Sequence, residues 1–319
     1  MSETRWKSRK VTIVGAGAVG ATFAYALAQS GHADEIALLD RNAELAEGHV
    51  LDLAHGLPYY SPVQIDTGSA NDYADSHVIV ITAGTGQKPG ETRLDLLQRN
   101  AAIIESIMDD ITSRDSQAVV VLVSNPVDVL TYVAQQRAKL PAGLVIGSGT
   151  VLDSARFRYL LSEHCGIAVH NVHGYILGEH GDSEFAAWSM THLAGMTIEQ
   201  YCPICGRCDD WDDERKKIEE QVRNSAYHII DYKGATYFGV GMALVRIVGA
   251  ILRSEHAMLT VSTLLNGEYG LSDVCLSVPC IVSEQGVERI IEAELTSDEL
   301  LALQRSGNVL QDALAGLRK

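Results

Sequence analysis

The sequence predicts an α/β chain in two parts: a parallel sheet covered on both faces by helices over residues 1–149, then an α+β unit over residues 150–319. Three observations carry that expectation. Short, nearly unbroken Val/Ile runs alternate with helical segments through the first half, as strands buried on both faces do. A glycine-rich turn follows the first run and an aspartate ends the second. Beyond residue 150 the runs give way to charged amphipathic segments and strands punctuated by turn signals.

Taken in order, KVTIV (10–14) reads as a buried strand, GAGAVG (15–20) as a turn, ATFAYALAQSG (21–31) as a helix and EIALLD (35–40) as a second strand. Gly15, Gly17 and Gly20 fit G-x-G-x-x-G: the first permits the tight turn, the second admits a pyrophosphate against backbone, and the third lets helix pack on strand. The phosphates would rest on the helix N-terminus, where N–H groups lack partners and the dipole is positive. Asp40 stands 20 residues past Gly20, placed to accept both ribose hydroxyls. A 2′-phosphate would meet a like charge there, so the spacing selects NAD over NADP. A lone glycine pattern is weak. Strand, glycines, helix, strand and terminal aspartate together describe a Rossmann-type dinucleotide site.

HVIVIT (77–82), AVVVLVSNP (118–126, broken by Pro126) and LVIGSGT (144–150) extend the sheet. Ligands of such sheets bind beyond the carboxyl ends of the strands, here Ala83–Gly84, Ser124–Asn125 and Gly147–Ser148. The candidate cofactor contacts are Gly15, Gly17, Val19, Gly20, Asp40, Ala83, Gly84, Ser124 and Asn125. The loop GTGQKPGETR (84–93) is rich in glycine and proline and ends in Arg93, a composition suited to a mobile lid.

In the second half, residues 168–192 read as strands around GEHG, 213–234 as an amphipathic helix ended by Gly234, and 240–256 as a buried helix. AMLTVSTLLNGEYG (257–270) reads as a hairpin turning at Asn266–Gly267, and DVCLSVPCIVSEQG (273–286) as a continuation of the antiparallel sheet. Thr296 and Glu299 form a capping box for a last helix. Cys202, Cys205 and Cys208 have the spacing of half a zinc site, but a fourth ligand is unclear, Asp209 and Asp210 being poor candidates beside three thiolates. No metal is expected there, only a variable loop before the 213–234 helix. Cys165, Cys275 and Cys280 read as buried small hydrophobes.

The net charge of −16 argues against nucleic acid or an anionic membrane as partner. Any anionic ligand needs a local arginine cluster. No apolar run approaches the ~18 residues of a membrane span. The segment MSETRWKSRK lacks the apolar stretch of a secretory signal. Six cysteines form no small disulfide framework, so reduced thiols and a cytoplasmic location are expected.

The chemistry concentrates in residues 147–183. Asp153 and Arg156 lie three apart in a helical segment and about 60° apart around it, on one face. Arg158 falls about 200° from Arg156 and serves another surface. His180 follows between glycines in GEHGDS. An imidazole to carry a proton, a carboxylate to orient it and a guanidinium fork for a substrate carboxylate make a site for small-acid redox chemistry. An imidazole that titrates near pH 7 would serve both directions of such a reaction.

The motifs VGAGAVG, ITAGTGQKPGETRLDL, VSNPVD, GSGTVLDSARFR, GEHGDSE and KGATYFG, in that order, resemble those of the lactate/malate dehydrogenase family, in particular its bacterial L-lactate dehydrogenases. The resemblance runs from about residue 8 to 315. It implies reversible hydride transfer between NADH and pyruvate, the final step of lactic fermentation after glycolysis. Its alternatives are malate, a bulkier 2-hydroxy acid or a non-catalytic structural relative. By position it implies that His180 is the catalytic acid/base and Asp153 its orienting carboxylate. Arg156 is then the bidentate anchor of the substrate carboxylate, and Arg93 the lid residue that polarises the C2 oxygen. Asn125 would bond near that oxygen, and Thr236 and Val240 would line the pocket. Gln87 stands where malate dehydrogenases of the family carry arginine, which implies pyruvate over oxaloacetate. Arg158 and His173 match the positions of an anion site at a subunit interface in relatives activated by fructose 1,6-bisphosphate. That implies an allosteric homotetramer with this activator.

Overall fold

In the computed structural model, residues 8–86, 90, 92–138, 140–207 and 210–317 are described. The chain runs β1 (Lys10–Val14), α1 (Ala18–Ser30), β2 (Glu35–Leu39), α2 (Ala43–His55), β3 (Gln64–Thr67), β4 (Val78–Ile81), α3 (Arg93–Ser113), β5 (Val119–Leu122), α4 (Val127–Arg137) and β6 (Val145–Gly147). There follow α5 (Val151–Cys165), the short strands β7 (Val172–His173), β8 (Ile176–Leu177), β9 (Phe185–Ala186), β10 (His192–Leu193) and β11 (Met196–Thr197), and α6 (Ile198–Cys205). The chain ends with α7 (Trp211–Lys233), α8 (Phe238–Leu252), β12 (Ala257–Leu259), β13 (Ser262–Asn266), β14 (Ser272–Ser277), β15 (Cys280–Ser283), β16 (Gly286–Ile290) and α9 (Ser297–Leu317). No helix among the described residues is long and apolar enough to cross a membrane.

Eight strands form the main sheet in the order β14-β13-β6-β5-β4-β1-β2-β3. Strands β1 to β6 run parallel, as the unbroken apolar runs require; all of β1, β4, β5 and β6 is buried. The winding reverses at β1, which pairs with β2 on one side and β4 on the other. Ligand crevices open at such a reversal. Helix α8 lies against α1, and its glycines permit the approach: a Cβ on Gly241 would sit 3.0 Å from the Thr22 side chain. A second, smaller core of Phe157, Leu161, Val172, Trp188, Ile218 and Val222 ties α5 and α7 to the short strands.

Three expectations for the second half need correction. The strand after the Asn266–Gly267 turn is β14, and β12 pairs instead with β15. The turn is longer than a two-residue hairpin because Tyr269 is drawn inward, its hydroxyl donating to Ile291 O at 2.9 Å. Residues 273–286 do not continue one antiparallel sheet: β14 joins the main sheet while β15 crosses to β12 and β16. Pro279 sits at the break, where a residue without an N–H cannot extend the ladder. Finally, Cys202 and Cys205 stand on a helix, α6, rather than a loop. A capping box between Thr197 and Gln200 starts it, a signal present in the sequence and overlooked. Cys208 lies outside the described residues. Cys165, Cys275 and Cys280 are buried as expected, and Thr296 and Glu299 form their reciprocal cap.

Candidate active site

The glycine turn between β1 and α1 is dictated by close approach. Gly15 has φ of 109°, and a Cβ on it would lie 2.7 Å from Ala83 N. Gly20 packs so tightly under the turn that a Cβ would come within 1.9 Å of Gly15 O. Thr82 Oγ1 donates toward Gly15 O at 2.9 Å and fastens the turn to β4. Gly17 differs: the space before it is open, and no side chain caps α1 there. A cavity of about 760 Å³ opens at this point, lined among others by Gly15, Gly17, Asp40, Ala83, Gly84 and Arg99. Open space at Gly17 and an uncapped first helical turn are what a pyrophosphate needs. Ala16 N and Asn42 N donate to the two oxygens of Asp40 at 2.8 Å each. That fixes the carboxylate at the cavity edge with lone pairs to spare for hydroxyl donors. The residues present therefore fit a dinucleotide.

The other expected cofactor contacts support this cradle. Ser124 Oγ donates to Ala83 O at 2.5 Å, below Gly84. Asn125 precedes the cis bond to Pro126, and its carbonyl accepts from Asn100 Nδ2 at 3.2 Å. Val19 packs partly buried against the core. The base of the 84–93 loop is held by residues that sequence reasoning passed over. Asn100 Oδ1 accepts from Thr85 N at 2.9 Å, and Arg99 donates to Thr85 Oγ1 at 2.7 Å and to Gly86 O at 3.0 Å. Gln87 lies outside the described residues, and Arg93 is described by its backbone alone, as the first residue of α3.

The second constellation sits on α5 and the loop after β8. Asp153 is 2% exposed and bridges two partners. Its Oδ2 meets His180 Nδ1 at 2.6 Å, and its Oδ1 accepts from Arg156 Nη1 at 2.7 Å. The i, i+3 spacing on α5 thus delivers one shared face. The backbone of His180 is pinned from below: its N–H donates to Asp128 Oδ2 at 2.8 Å, and Glu179 N donates to Ser306 Oγ at 2.7 Å. With Nδ1 committed to Asp153, Nε2 is the ring atom available to a substrate.

Three buried carboxyls shape the electrostatics. Burial works against the His180 imidazolium, but Asp153, by charge and hydrogen bond, together with Glu184 and Asp128, outweighs it and raises the imidazole to about 9. This lies above the expected value near 7, chiefly because of Asp153, with Glu184 and Asp128 adding to it. Burial also pushes Asp128 up to about 6, against the His180 N–H bond. Asp153 is buried as deeply, yet His180 and Arg156 hold it below its ordinary value. Glu184, 5% exposed, is raised far above the carboxylate range by burial and by the charge of Asp153.

A model of the lactate/malate dehydrogenase NAD-binding domain matches residues 9–147, and one of the family's alpha/beta C-terminal domain matches residues 150–318. The chain is 60% identical to an L-lactate dehydrogenase of Treponema denticola over 309 residues, 96% of this chain and 98% of that one. It superposes on a lactate dehydrogenase from a Medee basin deep-sea metagenome with a TM-score of 0.95 at 42% identity, covering 98% of this chain and 99% of that one. The minor L-lactate dehydrogenase of Enterococcus mundtii, in its ligand-bound form, gives a TM-score of 0.93 at 44% identity over 97% of this chain and 98% of that one. The chain belongs to the lactate/malate dehydrogenase family. As a member of it, the chain is an oxidoreductase whose cofactor is NAD.

Of the residues singled out in the sequence of this family member, the structure joins Asp153, Arg156 and His180, and separately Gly15, Gly17, Asp40, Ala83 and Gly84. Thr236 is half-buried between α7 and α8. Arg158 faces elsewhere, as its phase on α5 requires: Nε donates to Ser154 O at 3.2 Å, and the side chain lines a recess with Tyr175 and Arg246. His173 is exposed on β7, opposite His192. Asp128 and Glu184 were missed. Their signal is a carboxylate inside an apolar run, VDVL and EFAAW, where an unburied charge would have no reason to stand.

Proposed function

We propose that the protein is an NAD-dependent L-lactate dehydrogenase that interconverts pyruvate and L-lactate. The observation that carries the reading is Asp153 holding His180 with one oxygen and Arg156 with the other. The cradle of Gly15, Gly17, Gly20 and Asp40, floored by Ala83, Gly84, Ser124 and Asn125, would hold NADH, which supplies the hydride when bound. Residues 1–149 then serve the cofactor and residues 150–319 the substrate.

His180 keeps its proton at neutral pH, since its imidazole is raised to about 9. The imidazolium Nε2 donates to the C2 oxygen of pyruvate as that oxygen gains charge, and Asp153 stabilises the cation before the proton leaves. In lactate oxidation the neutral ring takes the proton back. Arg156 spends one Nη on Asp153 and offers the rest of its fork to the substrate carboxylate. Arg93, on the lid, stabilises charge on the C2 oxygen, and Asn125 and Thr236 complete the pocket. Gln87 in the closed lid favours pyruvate, because the second carboxylate of oxaloacetate would be buried without a cation.

Two subunits presenting Arg158 and His173 to each other repel until an anion bridges them. Fructose 1,6-bisphosphate would then favour a homotetramer competent for pyruvate, by its differential affinity for that state. Arg158 shares a recess with Arg246, which pairs with Glu255. The proposed setting is the last step of lactic fermentation, in the cytoplasm. Pyruvate saturation followed by NADH absorbance, with and without fructose 1,6-bisphosphate, tests both parts on wild type and Arg158→Gln. A lower KM in wild type alone is expected. Coincident wild-type curves remove the activator, and a flat absorbance trace removes the dehydrogenase.

A further inference from the structure

Glu184 is a buried acid that the mechanism above does not use. It closes the turn that begins at Gly181, its N–H donating to Gly181 O at 3.2 Å, and precedes β9. Its carboxyl oxygen, a ring nitrogen of His180 and a carboxyl oxygen of Asp153 all lie within 4.8 Å of one another. No hydrogen bond to its carboxyl is formed among the described residues, and each of the three nearby cations has another carboxylate: the His180 ring faces Asp153 at 2.6 Å. Arg156 is committed to Asp153 at 2.7 Å, and Arg223 on α7 pairs with Glu219 at 3.9 Å. The other charged groups around the cluster are Asp128 beneath His180 and Glu179 beside Asp128. Ionised, Glu184 would stand beside Asp153 with little water to screen two like charges.

We propose that Glu184 carries a proton at neutral pH and acts as a positioning residue for His180, its carboxyl setting the charge against which the imidazole holds its own proton. The inference rests on the dehydrogenase reading, because its kinetic consequence is read in pyruvate reduction.

The charge count gives the arrangement a purpose. With Glu184 neutral, Asp153 offsets Arg156 and Asp128 stands against the imidazolium, so these four groups balance and the carboxylate of pyruvate relies on the free part of the Arg156 fork and on Arg93. With Glu184 ionised, the same substrate would meet one further buried negative charge. As pH rises, Glu184 and His180 compete to release a proton. In the state where Glu184 loses it first, the new negative charge holds the imidazolium in place. Burial raises Glu184, and its charge is one of those that hold the His180 imidazole up. Such a pair shares its macroscopic titration steps.

Glu184→Gln keeps the shape and removes the ionisable group. The measurement is the pH profile of kcat/KM for pyruvate from pH 6 to 10. The alkaline limb should move down by about one pH unit, a roughly tenfold loss against wild type on the limb, while Glu184→Asp restores the wild-type position. Superimposable limbs for wild type and Glu184→Gln overturn the proposal. A second measurement needs no folded variant: wild type labelled with ¹³C at glutamate carboxyls should show one carboxyl still protonated at pH 7. If every glutamate is ionised there, the proposal fails. Absence of any pyruvate reduction by wild type would remove the dehydrogenase reading instead, and the carboxyl titration would still decide on Glu184.

Discussion

The cofactor cradle and the proton-transfer cluster are made of different material. The cradle is backbone: glycines at Gly15 and Gly20 that admit no Cβ, an uncapped first turn of α1, and one carboxylate fixed by two N–H groups. The cluster is side chain: Asp153, His180, Arg156, Asp128 and Glu184, brought from α5, α4 and one loop and largely buried. Backbone N–H groups keep their charge distribution at every pH, so the glycine turn binds without titrating. Buried side chains can hold or release protons, so the cluster can carry chemistry. The two functions should therefore separate on mutation.

The largest effect is expected at the cluster. His180→Asn removes the ring that Asp153 orients and should lower kcat for pyruvate by a factor of about 10² or more, the usual contribution of general acid catalysis. NADH binding, measured by fluorescence titration, should stay near wild type because no element of the cradle touches the ring. Near-normal turnover in this variant would mean that another group moves the proton. A parallel loss of NADH affinity would mean that the two regions are one.

The complementary break is Gly20→Val. A Cβ at this position would lie 1.9 Å from Gly15 O, and backbone cannot yield as the tip of a side chain can. Such overpacking costs typically ~1–3 kcal/mol, here spent on displacing the turn that receives the pyrophosphate. NADH should bind about tenfold more weakly. With saturating NADH, kcat should recover most of its value, since Asp153 and His180 are untouched. Unchanged NADH affinity in a folded Gly20→Val protein would show that the turn has slack that the packing denies.

The same contrast explains what the sequence revealed. The cradle could be read because its parts are local. A strand, three glycines, a helix, a strand and Asp40 fall within one continuous stretch, and each has a conformational reason that needs no distant partner. Asp153 with Arg156 was legible for the same reason, as i, i+3 neighbours on α5. His180 joined them through the spacing of GEHGDS and the family motif. Asp128 and Glu184 could be picked out as carboxylates in apolar runs, but not as partners of His180. Asp128 reaches the His180 N–H across 52 positions of sequence, and nothing local to VSNPVD announces that partner. The charges of Asp128 and Glu184 add to that of Asp153 in raising His180 above the expected value near 7. In the fold, the parallel half was read from buried Val/Ile runs. The partners of β12 and β14 were not, because pairing choice in an antiparallel region is a long-range decision and Pro279 reroutes the chain only once the competing strands are known.

The smallest effect tests whether the cluster, and not the cradle, makes folding sensitive to pH. His180 has an ordinary value of about 6.5 unfolded and is raised to about 9 in the folded protein. A group raised on folding gives stability that is fully present below its unfolded value and is lost as pH climbs through its folded one. Asp128, raised to about 6, and Glu184, raised further by burial, act in the same direction: folding becomes less favourable as each is forced to ionise. Asp153 is the exception, held low by His180 and Arg156, so its contribution is lost only on acidification. The stability maximum should therefore lie on the acid side of neutrality, above the range where Asp153 takes a proton. Between pH 6.5 and 9 the His180 share is on the order of 1–3 kcal/mol, a few degrees of Tm for a chain of this size. Thermal melts across that window should fall less steeply in His180→Asn than in wild type, while in Gly20→Val the curve should be lower at every pH but parallel to wild type. Equal slopes in wild type and His180→Asn would show that the charge on His180 is screened in solution, and the cluster would then lose its claim to be the titrating part of the fold.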